Sequence, residues 1–303
     1  MGEATERPRM TTRRVRRGGA TVPLPDLLAW GRGELARSGI PQQEATWLLE
    51  WVLGENSLLF APQEVGRRAV EGYRSAIAQR KSRIPLQHIT GTMSFRSLEL
   101  SAGPGVFSTR PETESLVDIA LELAGPRPRI VDLCSGSGAV GLALATELSA
   151  TSLWLVENSP EALRYLQTNV SRYFTDDPDV VIEPHSALSA LPDLDGTVDL
   201  VVCNPPYVGL ADAPTQPEAQ ADPAVALYGG GEDGLVLPRG IVQRSHGLLR
   251  PGGFLVMEHG ATQGPALQEH ALTTGFTGAW TREDFTGTPR FLVAQKPRGD
   301  RDG

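Results

Sequence analysis

At 303 residues, 40% hydrophobic and 21% charged, the chain has room for one large or two modest domains with real cores. No stretch approaches the ~18 uninterrupted apolar residues of a membrane span, and the Arg-rich start lacks the apolar segment of a secretory signal, so a cytoplasmic protein without a membrane partner is expected. The formal net charge of −8 is uneven: six Arg against Glu3 and Glu6 give +4 in the first twenty residues and leave −12 on the rest, a balance that argues against gripping nucleic acid over a wide face.

In chain order, residues 1–20 read as a disordered basic arm. Residues 21–84 show helical spacing and no strand patterning, with Ala45, Leu48, Trp51 and Val52 sharing a face and a charged run over 63–83. They predict a small helical domain in which Trp30, Trp47 and Trp51 pack in the core or between domains. Residues 85–110 change character: Phe95, Leu98 and Leu100 form a short extended pattern before the Gly103-Pro104-Gly105 turn, the signature of a β-hairpin linker. From Pro111 helix and strand signals alternate, with a helix to 123, a strand at 130–133, a helix at 139–148 and a strand at 153–156. A helix opening at Ser159-Pro160 follows, then strands at 180–182 and 199–203. A helix before Pro251-Gly252-Gly253 and strands at 254–257 and 291–294 complete the series, and 297–303 reads as a frayed tail. Alternation at this spacing predicts an α/β fold, a parallel doubly wound sheet over residues 111–296.

Two junctions carry chemistry. Asp132-Leu133-Cys134-Ser135-Gly136-Ser137-Gly138 joins the first predicted strand of the sheet to a helix and runs on to Gly141 as a formal G-x-G-x-x-G. Glycines there let the chain turn sharply and a ligand press against the backbone at the positive end of a helix. This loop serves nicotinamide dinucleotides and S-adenosylmethionine equally, with Glu157 at the end of the next strand taking ribose hydroxyls in either case. The second junction separates the two. Asn204-Pro205-Pro206-Tyr207 follows an apolar run, where two prolines stop the strand and leave a polar amide and an aromatic ring at its carboxyl end. An Asn amide, proline carbonyls and a Tyr face suit a planar, neutral, NH2-bearing group, for which a methyltransferase has a use and a dehydrogenase has none. A plain strand stop is the bland alternative.

Other residues read more simply. Cys134 and Cys203 are the two cysteines, and their scarcity fits small core residues in a reducing compartment. His88, His185, His246, His259 and His270 lack metal-ligand spacing, so no metal is expected; His259, beside Glu258 at a strand end, is placed to line the pocket.

Taken together and in order, P-L-Q-H-I-T-G at 85–91, R-P-E-T-E at 110–114, D-L-C-S-G-S-G, V-E-N-S-P-E-A-L, N-P-P-Y-V, G-G-E-D-G-L at 230–235 and M-E-H-G at 257–260 resemble the glutamine N5-methyltransferases that modify peptide chain release factors. The resemblance spans about residues 21–296. It implies a helical domain that docks the protein substrate, a hairpin linker, and a Rossmann-like S-adenosylmethionine-dependent methyltransferase domain, in a protein that acts as a monomer. It also implies site residues: Asp132, Cys134, Ser135, Gly136, Ser137, Gly138, Glu157, Ser186, Ala187 and Asn204 toward the cofactor, and Asn204, Pro205, Pro206 and Tyr207 toward the glutamine, with Asn204, Pro205 and Tyr207 serving catalysis. Two departures stand out. Ser186, in His185-Ser186-Ala187, replaces the family's Asp near the adenine, and Thr109 replaces a Pro before R-P-E-T-E, so weaker cofactor binding and an altered presentation of Arg110 and Glu114 to the site are expected. An adenine N6 methyltransferase poses the same chemical problem to N-P-P-Y, although the acidic body and the lack of a segment for flipping a base weigh against it. A binding protein that has lost catalysis is the third reading, and intact glycine-loop and N-P-P-Y motifs weigh against that one.

Overall fold

The computed structural model describes residues 20–148, 152–212 and 216–299. The chain separates into two compact units, one up to Ser82 and one from Arg83 onward. Most of the basic arm and residues 300–303 of the tail lie outside the described residues.

The first unit contains β1 (Thr21–Pro23), α1 (Leu24–Arg37), α2 (Gln43–Leu53), β2 (Glu64–Gly66) and α3 (Arg67–Lys81). The antiparallel β1–β2 pair corrects the expectation of a strand-free segment. Three-residue strands, one ending in proline, are too short to show a period of two. Leu27, Leu35, Leu48, Leu49, Tyr73 and Ile77 form the core. Tyr73 donates its hydroxyl to the Ala45 carbonyl at 3.0 Å, and α1 passes it so closely that only a glycine fits at Gly31. The predicted α2 face is rotated, because Leu49 is buried with Ala45 and Leu48 while Trp51 is exposed. Trp30, Trp47 and Trp51 all reach the surface of this unit, which corrects their expected place in a core; Trp30 lies edge-on to Tyr73 with the Arg74 guanidinium over its ring. A buried Arg80–Glu44 ion pair at 2.5 Å joins α3 to α2.

In the second unit the short α4 (Leu86–Thr90) leads into the hairpin β3 (Thr92–Phe95) and β4 (Leu98–Ser101). This hairpin is no free linker. Met93, Phe95, Leu98 and Leu100 enter the core beside the main sheet, each contributing about 1.5–3 kcal/mol of burial. Arg96 at its tip, in left-handed backbone, is held by Glu147 and Asp118, and its N–H donates to Glu114 Oε1 at 2.9 Å. There follow α5 (Glu114–Leu123), β5 (Arg129–Leu133), α6 (Ala139–Glu147), β6 (Ser152–Val156), α7 (Pro160–Tyr173), β7 (Val180–Glu183) and β8 (Val198–Cys203). The chain ends with α8 (Ala224–Leu227), α9 (Val236–Leu248), β9 (Leu249–Glu258), α10 (Gly264–Thr274), β10 (Gly278–Glu283) and β11 (Pro289–Gln295). The start of α7 is written locally: Ser159 caps it by accepting the Ala162 N–H at 3.3 Å, and Pro160 presets the first turn.

The seven-stranded sheet runs β10-β11-β9-β8-β5-β6-β7. Strands β5 to β9 pair in parallel, as the alternation predicts, but β11 is antiparallel to both β9 and β10. The sheet is therefore mixed, a correction to the all-parallel expectation. β10 was invisible in sequence because an edge strand reading Gly-Ala-Trp-Thr-Arg-Glu, with no fully buried residue and with Trp280 and Glu283 exposed, has no clean alternation. α5, α6, α7 and the hairpin cover one face, α9 and α10 the other, giving two apolar layers. Chain order reverses between β5 and β8, leaving a crevice at their carboxyl ends where ligands bind in such sheets.

Candidate active site

Three strand ends meet at that crevice. Cys134 follows β5, Glu157 follows β6 and Asn204 follows β8, and all three line one cavity. Ser135, Gly136, Ser137, Ser186, Ala187 and the whole of Pro205 to Tyr207 share its wall.

The glycine loop is held from both sides. Cys134 takes left-handed backbone (φ 63°), unusual for a residue with a side chain, and Gly136 and Gly138 do the same at 57° and 87°. A Cβ at Gly138 would come within 2.7 Å of Leu166 on α7 and 2.9 Å of Leu142 on α6, so a side chain there would displace both leucines, at a φ that already favours glycine. Glu157 is buried, and its carboxylate accepts the N–H groups of Gly136 at 2.8 Å, Asn158 at 2.9 Å and Ser159 at 2.7 Å. Asp132 lies beneath the loop rather than in the cavity wall, accepting the Gly141 N–H at 3.0 Å. Complete burial pushes its carboxyl up to about 7 against that hydrogen bond, and the nearby Glu157 adds to the rise. Gly138 likewise sits behind the wall.

A residue the sequence did not single out ties this loop to the hairpin. Asn169 on α7 is fully buried; its Oδ1 accepts the Ser101 N–H at 2.7 Å, and its Nδ2 donates to the Ser101 carbonyl at 3.2 Å and the Ser137 carbonyl at 2.9 Å.

The N-P-P-Y turn has its own scaffold. Gln263, ahead of α10, donates to the carbonyls of Tyr207 and Asp233, both at 2.8 Å. The G-G-E-D-G-L segment packs directly behind: a Cβ at Gly234 would meet the Tyr207 carbonyl at 2.2 Å, so the glycine is demanded by backbone meeting backbone. Asn204 Nδ2 donates to Thr113 Oγ1 at 3.4 Å, Thr113 donates to Glu258 Oε2 at 2.7 Å, and the Tyr207 hydroxyl donates to Glu258 Oε1 at 3.0 Å. Thr113 and Glu258 are buried. Burial pushes the Glu258 carboxyl up, against the two hydroxyl donors and the positive charge of Arg290, with Glu112 reinforcing the rise. Burial, with Glu258 beside it, likewise raises the Tyr207 phenol. Among the described residues no hydrogen bond occupies Asn204 Oδ1 or the Pro205 carbonyl, which leaves two acceptors at the cavity.

Other sequence expectations fare differently. His259 does not line the cavity; it is buried, with Nδ1 2.8 Å from the Gly260 carbonyl. Cys203 is a buried core residue, whereas Cys134 is part-exposed and belongs to the cavity wall. Glu114 faces the hairpin, and Arg110 pairs with Asp222 at 2.6 Å, so neither is presented to the cavity. Thr109, in contrast, lines it. Asp222 also accepts the Ser108 N–H at 3.1 Å and so fastens the segment before α8 to the strap between hairpin and α5; burial raises its carboxyl, and Arg110 opposes the rise. Ser186 lies at the surface and accepts the Leu188 N–H through its hydroxyl at 3.4 Å, a turn contact that offers no full charge to a ligand. Thr113 and Glu258 stood inside quoted motifs, but their meeting across 145 positions leaves no trace in spacing.

Comparison with known proteins agrees with this architecture. Residues 26–91 match the PrmC N-terminal domain family and residues 93–222 the methyltransferase small domain family. The release factor glutamine methyltransferase of Bifidobacterium longum is 40% identical over 292 residues, 89% of this chain and 99% of that protein. The Streptomyces coelicolor protein of the same name is 46% identical over 231 residues, 74% of this chain and 80% of its own. The Deinococcus radiodurans protein, also so named, is 36% identical over 286 residues, covering 92% and 100%.

Proposed function

This chain belongs to the release factor glutamine methyltransferase family, and we propose that it transfers a methyl group from S-adenosylmethionine to the side-chain amide nitrogen of the glutamine in the Gly-Gly-Gln motif of a peptide chain release factor. The observation that carries this reading is the pair of unbonded acceptors, Asn204 Oδ1 and the Pro205 carbonyl, on residues that line a cavity shared with the glycine loop.

The residues fit the cofactor. The open backbone at Gly136, where a Cβ would meet only Val106 at 4.0 Å, lets a ligand approach, Glu157 supplies a carboxylate for a ribose diol, and Val156, Ala187 and Leu237 give an apolar slot for a flat ring, flanked by Ser186. When bound there, S-adenosylmethionine supplies an electrophilic methyl group on a positively charged sulfur.

The rest is done by the chain. An amide nitrogen is a weak nucleophile because its lone pair is shared with the carbonyl. Asn204 Oδ1 and the Pro205 carbonyl accept the two N–H groups of the substrate amide, aim the lone pair and stabilise the positive charge that grows on nitrogen. Tyr207, its hydroxyl tethered to Glu258, lays its ring along the amide plane. The proton leaves to solvent after transfer, so no basic side chain is assigned. The helical unit up to Ser82 serves to dock the protein substrate in this reading, and the protein acts as a monomer in the cytoplasm.

Mass spectrometry of a release factor incubated with this protein and S-adenosylmethionine tests the proposal. A methyl group on the Gly-Gly-Gln glutamine is the expected result. Transfer to nucleic acid in its place, with binding that weakens steeply with salt, would overturn it.

A further inference from the structure

The chain Asn204–Thr113–Glu258–Tyr207 has a direction, and the carboxylate sets it. In its ionised form, which the two hydroxyls and the nearby Arg290 favour against burial, the Glu258 carboxylate only accepts hydrogen bonds, so the hydroxyls of Thr113 at 2.7 Å and Tyr207 at 3.0 Å both turn their protons toward it. A threonine hydroxyl has one proton. Having given it to Glu258, Thr113 Oγ1 can only accept from Asn204. The NH2 end of the Asn204 amide is then the end that faces Thr113, and the oxygen end is left for the cavity. Reversing the amide would set Asn204 Oδ1 against an oxygen with no proton to offer.

We propose that Glu258 and Thr113 are positioning residues that fix the flip of the Asn204 amide, so that the site presents an acceptor and not a donor to the NH2 group of the substrate. The proposal rests on the reading of function above and deepens it. Selectivity for an amide nitrogen over an amide oxygen follows from the same device, since a reversed Asn204 would offer N–H to the carbonyl end of the glutamine. Burial makes the device stiff: Glu258 and Thr113 are 2% and 0% exposed, so no water competes for their hydrogen bonds. The second oxygen of Glu258 holds Tyr207, so one carboxylate registers both the amide that grips the substrate and the ring that packs on it.

Three variants of the full-length protein test this. Thr113→Val keeps the shape and removes the hydroxyl; Thr113→Ser restores the hydroxyl; Glu258→Gln keeps the size and removes the charge, offering a donor where only acceptors stood. With a release factor as substrate, Thr113→Val and Glu258→Gln are expected to lower kcat on the order of 10²-fold, the size of losing one preorganised partner of developing charge. KM for S-adenosylmethionine should stay within about twofold of the unsubstituted enzyme, since neither residue lines the cavity. Thr113→Ser should recover most of the kcat. A purely structural role would lower all three alike, and equal kcat for the Ser and Val variants would overturn the proposal.

A second measurement needs no turnover. In an amide-resolved NMR spectrum of the unsubstituted protein, the Asn204 side-chain NH2 protons should show cross-relaxation to the Thr113 methyl group, lost in Thr113→Val and in Glu258→Gln as the amide is released. Cross-relaxation present in a protein that methylates no glutamine would leave the amide geometry standing and remove the functional reading. Its absence, with glutamine methylated normally, would remove the geometry and leave the function.

Discussion

Replacing Asn169 with alanine tests the claim that the hairpin and the glycine loop are one structure. The substitution strips partners from three backbone groups: the N–H and carbonyl of Ser101 and the carbonyl of Ser137. An unsatisfied buried group costs about 1–3 kcal/mol. The Ser137 carbonyl, in a fully buried contact, bears most of this, while the Ser101 groups at the end of β4 are part-buried and reach water once the side chain is gone. The total is about 3–4 kcal/mol, which at roughly 2–4 °C per kcal/mol for a unit of this size lowers the melting temperature by about 10 °C. Asn169→Asp separates the contributions, since it keeps the acceptor for the Ser101 N–H and loses both donors. Thermal unfolding measures the stability, and calorimetry with S-adenosylmethionine at a temperature where both proteins are folded measures the loop, whose loosening should weaken binding. A melting temperature within 2 °C of the unsubstituted protein, together with unchanged binding, would refute the reasoning and leave Asn169 an incidental contact.

Three further outcomes are expected. Asn204→Ala should cut methyl transfer by at least ~10³-fold while circular dichroism and melting stay unchanged, because the residue is part-exposed at the cavity and the buried Thr113 hydroxyl it leaves keeps its bond to Glu258; transfer at the native rate would remove Asn204 from the site. Gly138→Ala forces a Cβ to within 2.7 Å of Leu166 at a φ of 87°, so a loss of about 1–3 kcal/mol in unfolding free energy and weaker cofactor binding are expected, and an unaltered urea midpoint would contradict the close packing. Asp132, held at about 7 against an ordinary 3.8, binds its proton more tightly folded than unfolded. Its contribution to stability is fully present below pH 4 and is lost as pH rises toward 7. Asp132→Asn escapes that loss, so its stability advantage over the unsubstituted protein should widen from pH 5 to pH 8 by roughly 2 kcal/mol; a gap that is constant with pH would show that Asp132 is not titrating in this range.

Much of this was legible in the sequence, because much of it is local. The alternation of periods from Pro111 onward located five parallel strands and their helices, since each strand buried on both faces is a short apolar run between turn residues. Cys134 to Gly138 and Asn204 to Tyr207 were visible as strand stops: glycine and proline act on their own backbone, whatever surrounds them. Ser159-Pro160 announced α7 for the same reason. Trp51 shows the limit of such local reading, because α2 carries apolar residues over more than half its circumference and only packing chose which of them went inside.

What the sequence by itself determined, then, was the set of features whose cause lies within a few residues: the five parallel strands, their turns and the two junctions that give the site its backbone. Tertiary structure alone decided the reversed β11, the burial of Trp51's neighbour Leu49 in its place, and above all the polar chain in which Thr113, Asn204, Tyr207 and Glu258 meet. They stand on three separate segments up to 145 positions apart. A hydrogen bond between such residues has no period and no spacing. It exists only because the sheet brings the ends of β8 and β9 side by side and the turn before α5 packs across them, and the low dielectric of that buried corner makes the direction of each proton matter.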